Sequence, residues 1–161
     1  MHWFIADQNE SIIVEQTIDG LNVYDGGVMT NNPPYPLQLE NYDDEKPYIG
    51  CCAYKDEKWF SRGMETDNLK GGYTSEERFI RLSYLKEKLE SNNHSNEVSE
   101  IFHLLSSVEQ IYGVTSVGNE FEYTIYSIIY DMNNKMVWVK TYDKLCPINF
   151  TLHDDSERIK L

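Results

Sequence analysis

The sequence predicts an α+β fold, with antiparallel strands at both ends of the chain and helices between them. Three observations carry that expectation. The opening stretch, up to Asn31, alternates short strand-like runs with tight-turn signals. Two central segments, about 74–90 and 97–108, repeat apolar residues at helical spacing. The final third returns to strand-like alternation. At 161 residues, 40% hydrophobic and 13% aromatic, the chain (1–161) suits one globular domain with a core of its own.

Residues 2–7 and 11–18 read as strands joined by the polar turn Gln8-Asn9-Glu10. Asp19-Gly20 is a two-residue hairpin signal, and Leu21-Asn22-Val23-Tyr24 follows as a third strand. Asp25-Gly26-Gly27 turns the chain into a fourth, Val28-Met29-Thr30, which ends at Asn31-Asn32-Pro33-Pro34-Tyr35. A strand that ends in Asn-Asn-Pro-Pro delivers a side-chain amide to a fixed place, because proline fixes its own φ and pushes its predecessor towards extended geometry. By itself such a sequence is ordinary punctuation between strand and loop. Pro34 to Tyr42 suits a short helix, with Leu37, Leu39 and Tyr42 available for packing. Periodicity then lapses from Asp43 to Lys70, where Trp59-Phe60 is the one strongly apolar spot.

Thr74-Ser75-Glu76-Glu77 is a capping box, entered from Gly71-Gly72. The helix it opens runs to about Glu90 with the stripe Leu82, Leu85, Leu89 and Phe79 beside it. Extended backwards, that stripe reaches Arg78, an arginine on the inward side of the first turn; rim snorkelling is the ordinary role for such a residue. Residues 91–96 break the helix. A second helix carries Ile101, Leu104, Leu105 and Val108, with His103 as a structural residue among them. Gly113 to Glu120 reads as loop, and Phe121 to Tyr130 as a long strand with both faces covered. Asn133-Asn134 turns it into Met136 to Tyr142, and Ile148 to Leu152 is the last strand. The charged tail from Asp154 is expected to fray.

A net charge of -13 without a basic run would repel a phosphate backbone, which argues against nucleic acid as a partner. No apolar run approaches the length of a transmembrane helix, and the first residues lack the pattern of a secretion signal. No membrane partner is therefore expected. Cys51, Cys52 and Cys146 are odd in number, and their spacing fits no zinc pattern. Reduced structural thiols in a cytoplasmic protein are the expectation. His2, His94, His103 and His153 are scattered, so no metal or cofactor is assigned.

Several blocks, in order, resemble the choloylglycine hydrolases, the group of bile salt hydrolases and penicillin V acylases. They are Met1-His2-Trp3-Phe4-Ile5-Ala6-Asp7, Ser11 to Thr17, Leu21 to Asp25 and Gly27-Val28-Met29-Thr30-Asn31-Asn32-Pro33. The likeness continues at Arg78-Phe79-Ile80-Arg81, Phe102 to Val108, Tyr123 to Ser127 and Lys140 to Asp143. The resemblance implies an N-terminal nucleophile hydrolase fold, a four-layer αββα sandwich, here lacking its N-terminal strands. It implies cleavage of a linear amide C–N bond by an N-terminal cysteine whose own α-amino group is the base. Asn31 then corresponds to an oxyanion-hole donor. Arg78 corresponds to the arginine beside the nucleophile, where a fixed cation favours thiolate. No block matches the family's cysteine nucleophile or the aspartate that follows it, and Cys51, Cys52 and Cys146 match neither. The family's Gly-Leu-Pro-Gly-Asp lead-in appears as Asn68-Leu69-Lys70-Gly71-Gly72.

Two functions follow as expectations. The first is a C-terminal portion of an amide hydrolase, inactive alone, which takes a small-molecule amide only when an N-terminal fragment pairs with it. The second is a non-catalytic remnant that serves as a binding or oligomerising module. In either case an uncovered sheet edge and apolar faces are expected to drive self-association.

Overall fold

The computed structural model describes residues 1–51, 66–92 and 97–152. Trp59-Phe60, Cys52, His94, His153, the end of the interhelix break and the tail from Asp154 lie outside the described residues. Packing divides the chain into two compact units, one of residues 1–6 and 11–95, the other of 7–10 and 96–161. The elements are helical and antiparallel throughout, the mixture the alternation predicts.

The first unit opens on a sheet of β1 (His2–Ala6), β2 (Ser11–Thr17) and β3 (Gly20–Asp25), paired antiparallel in that order. Alternation sorts the sheet into two faces. Phe4, Ile13, Glu15 and Tyr24 share one, by the register of the ladders. Trp3, Ile5, Ile12, Val14, Leu21 and Val23 share the other. The first face is covered around Ile13, which is fully buried among Tyr35, Tyr42, Ile49, Phe79, Ile80 and Tyr84, while Phe4 on the edge strand is exposed. On the second, Trp3, Ile5, Leu21 and Val23 are exposed.

Helix α1 (Tyr35–Glu45) and a 3-10 turn (Lys46–Tyr48) follow, then α2 (Ser75–Ser91). Thr74 and Glu77 form the reciprocal cap that the sequence signals. Phe79 meets Tyr35 and Tyr42 edge-on, with centroids 6.3 and 6.5 Å apart. Such edge-to-face pairs add to the area they bury.

Three expectations in this unit are corrected. Val28–Thr30 is not a strand, because Thr30 gives both its backbone groups to the Gln38 side chain: its N–H donates to Gln38 Oε1 at 3.1 Å and its carbonyl accepts from Nε2 at 3.1 Å. Helix α1 buries Tyr35, Gln38 and Tyr42, while Leu37 and Leu39 are exposed. In α2 the buried face is Phe79, Ile80, Arg81, Ser83 and Tyr84, and the Leu82, Leu85, Leu89 stripe lies at its half-buried margin. The aromatic packing against α1 sets the rotation of α2. The deeply buried arginine is thus Arg81, and Arg78 is half-buried.

The second unit holds α3 (Val98–Ser106), a hairpin of β4 (Thr115–Val117) and β5 (Glu120–Glu122), and a sheet of β6 (Tyr126–Asp131), β7 (Met136–Thr141) and β8 (Lys144–Thr151). Phe102, Ile129 and Val137 are its buried apolar residues among those described, and His103 is exposed rather than structural. The stretch expected to be loop forms the β4–β5 hairpin, turned by Gly118 at φ 62°, a positive-φ position that favours glycine. The strand expected to be continuous breaks at 123–125, where Thr124 leaves the ladder and its N–H donates to the Gln110 carbonyl at 3.0 Å. One face of β6 is covered, through Ser127 and Ile129, while Tyr126 and Tyr130 are exposed. Strand β8 starts before Ile148, since at a sheet edge Pro147 needs no ladder N–H.

Candidate active site

The two residues singled out in the sequence come together in the first unit. Arg78 Nη2 donates to Asn31 Oδ1 at 3.4 Å, across 47 positions of chain. The same guanidinium donates through Nε to the Tyr73 carbonyl at 3.2 Å and through Nη2 to Ser75 Oγ at 3.2 Å. Its planar fork is therefore held by the turn that leads into α2 and by the first residue of that helix. With an arginine donor at Oδ1, the Asn31 carboxamide turns its Nδ2 end, the donor end, away from Arg78.

Asn31 and Asn32 line an open cleft of about 400 Å³ with His2, Glu15, Pro33 and Pro34. The Asn32–Pro33 peptide is cis. Glu15 is 3% exposed, and both its carboxylate oxygens accept the Tyr35 backbone N–H at 3.0 Å. His2 Nδ1 stands 3.6 Å from Glu15 Oε1. Tyr35 is the first residue of α1, so the buried carboxylate sits where the helix dipole is positive.

One further arginine and two tyrosines lie in the same unit. Arg81 Nη1 donates to the carbonyls of Lys70 at 2.7 Å and Gly72 at 3.0 Å, which fixes the glycine-containing approach to α2. Burial lowers its pKa from the usual arginine value, opposed by Glu77 and Tyr73. The Tyr35 phenol is pushed up by burial and then by Asp25, and that of Tyr42 by burial and then by Glu87.

The sequence reading missed Gln38, Glu15 and Arg81. A signal for the first existed: Tyr35, Gln38 and Tyr42 recur at i, i+3 and i+7, one face of a helix. Among the described residues, no group of three His, Cys, Asp or Glu side chains is placed to hold a metal, and no helix is long and apolar enough to cross a membrane.

A family model described as linear amide C–N hydrolases, choloylglycine hydrolase family, matches residues 1–156. The chain belongs to that family. It is 38% identical over 153 residues to a bile salt hydrolase/transferase of Lactiplantibacillus plantarum, covering 89% of this chain and 47% of the relative. Against a bile salt hydrolase/transferase of Bifidobacterium longum subsp. longum the identity is 30%, over 89% of this chain and 48% of the other. A variant of the conjugated bile acid hydrolase of Clostridium perfringens superposes with a TM-score of 0.83 at 27% identity, over 96% of this chain and 50% of that one. The penicillin V acylase of Agrobacterium tumefaciens shares the fold at a TM-score of 0.69 and 20% identity, over 89% of this chain and 42% of that one. This choloylglycine hydrolase-family chain spans about half the length of the curated relatives it matches.

Proposed function

We propose that this chain supplies the oxyanion-donor portion of a hydrolase that cleaves a linear amide C–N bond, of the kind found in conjugated bile salts, penicillin V or other N-acyl compounds. In this account the 161 residues form part of a four-layer αββα sandwich, and the cysteine nucleophile belongs to the half of the relatives' length that the chain does not span. The observation that carries it is the Arg78–Asn31 hydrogen bond, which joins two separate family blocks in one place. Attack of a thiolate on an amide carbonyl places negative charge on the carbonyl oxygen. A fixed N–H donor aimed at that charge stabilises the transition state more than the ground state. Asn31 Nδ2 is such a donor, because Arg78 holds the other end of the carboxamide. Arg78 also brings a fixed positive charge that favours thiolate over thiol. A cytoplasmic location is part of the proposal, since free thiols such as those of Cys51 and Cys146 stay reduced there.

A second function, a non-catalytic binding or oligomerising module, is favoured by the open sheet face of Trp3, Ile5, Leu21 and Val23. One experiment separates the two. The chain is assayed for glycine or taurine release from conjugated bile salts, alone and after refolding with the cysteine-bearing N-terminal half of the Lactiplantibacillus plantarum relative. No turnover alone and turnover in the pair is the expected result. Turnover by the chain alone contradicts its inactivity in isolation, and none in a pair shown to associate favours the module.

A further inference from the structure

We infer that Gln38 is the positioning residue that holds Asn31 in place; its catalytic meaning rests on the role proposed above for Asn31. Residues 28–34 form no ladder with any strand among those described, yet Asn31 must be held to a fraction of an ångström to act as a donor. Gln38 supplies what a ladder would. Its side chain is fully buried. Nε2 donates one hydrogen to the Thr30 carbonyl at 3.1 Å and the other to the Pro33 carbonyl at 2.6 Å, while Oε1 accepts the Thr30 N–H at 3.1 Å. The amide therefore grips the backbone on both sides of Asn31-Asn32.

The grip has two anchors. Gln38 stands on α1, whose first N–H is received by the buried Glu15 carboxylate. The Thr30 hydroxyl donates to the Ser75 carbonyl at 2.9 Å, and Gln38 Oε1 lies 3.1 Å from the Thr30 hydroxyl oxygen. Ser75 begins α2, which carries Arg78. One buried carboxamide thus sets the place of Asn31 relative to both helices. Glutamate cannot replace it, because an ionised carboxylate has no hydrogen for the two carbonyls, and methionine leaves all three backbone groups without a partner.

The test uses the whole chain, isotope-labelled, with Gln38→Met and Gln38→Glu. The side-chain NH2 resonances of Asn31 are expected to shift or broaden in both variants, while the methyl resonances of Ile13 and Ile80 in the core stay in place. Unmoved Asn31 resonances overturn the inference. Loss of all folded signals in both variants also overturns it, because Gln38 would then serve the fold as a whole. In the chain refolded with a cysteine-bearing half, kcat is expected to fall roughly 10- to 100-fold, with KM within about 2-fold. If Asn31→Ala lowers kcat and the Gln38 variants do not, the positioning role fails. If Asn31→Ala leaves kcat unchanged, the oxyanion role fails, and the Asn31 resonances still decide for or against Gln38.

Discussion

The two units of this chain bury different kinds of side chain. In the first, Glu15, Thr30, Gln38, Arg81 and Ser83 are buried beside the aromatic cluster of Tyr35, Tyr42, Phe79 and Tyr84; in the second, Ser127 is the buried polar residue among those described. A buried polar group is costly unless it is hydrogen-bonded. The bonds made by Glu15, Thr30, Gln38 and Arg81 converge on two places, the 30–35 turn and the approach to α2. Those are the places that carry Asn31 and Arg78. The second unit relies on ladders and a thin apolar layer, and its ion pair of Lys140 with Glu109 stands on the helix-facing side of its sheet. The contrast separates a region built to fix particular atoms from one built to hold a shape.

Substitutions break or sharpen that contrast. The largest effect is expected for Phe79→Ala, which removes the ring shared by Tyr35 and Tyr42 and should cost about 3–5 kcal/mol in denaturant unfolding. Leu37→Ala, at an exposed position of α1, should stay within about 0.5 kcal/mol in the same measurement. Equal costs would erase the distinction between the packed contact of α1 with α2 and the open face of α1. Arg81→Met comes next, at roughly 1–3 kcal/mol, because the Lys70 and Gly72 carbonyls lose their donor.

The tyrosines predict a pH dependence. Burial raises Tyr35 and Tyr42 above the ordinary tyrosine value of 10.0. A group raised on folding contributes stability that is fully present below its unfolded pKa and lost as pH rises through the folded one. Unfolding free energy should therefore fall as pH climbs above about 10, and Tyr42→Phe should flatten that fall. The smallest effect lies in the second unit. Asp131 is lowered by its bonds from Asn134, side chain first, so its contribution is present above the usual carboxylate pKa and lost as pH falls through the lower folded value. Asp131→Ala should speed amide exchange at Asn134 and leave exchange at Ile13 and Ile80 unchanged.

Much of this molecule was legible in its sequence. β1, β2 and β3 alternate cleanly between turn signals, and the Thr74–Glu77 capping box marks the start of α2 to the residue. Asn31 and Arg78 lay in short family-like blocks, and the structure puts them within hydrogen-bonding distance. What escaped depended on tertiary partners. Val28–Thr30 has the composition of a strand, but a glutamine from α1 takes its backbone bonds. The leucines of α2 looked like its core stripe until the aromatic rings of α1 set the helix rotation. Gly118-Asn119 was a hairpin signal lost between weakly apolar runs, whose Val117 and Phe121 are exposed. Gln38 carries no signal by itself, because an isolated glutamine shows nothing of the carbonyls it will meet.

We propose that Asn31 and Arg78 work as one unit on a developing oxyanion. A double-mutant cycle on kcat, in the chain paired with a cysteine-bearing half, tests it most directly. Asn31→Ala and Arg78→Ala should each lower kcat, the first by about 10²–10³-fold, and the double variant should lose much less than the product of the two effects, since each removes one end of the same bond. Two losses that multiply fully, or an Asn31→Ala enzyme with unchanged kcat, would contradict it.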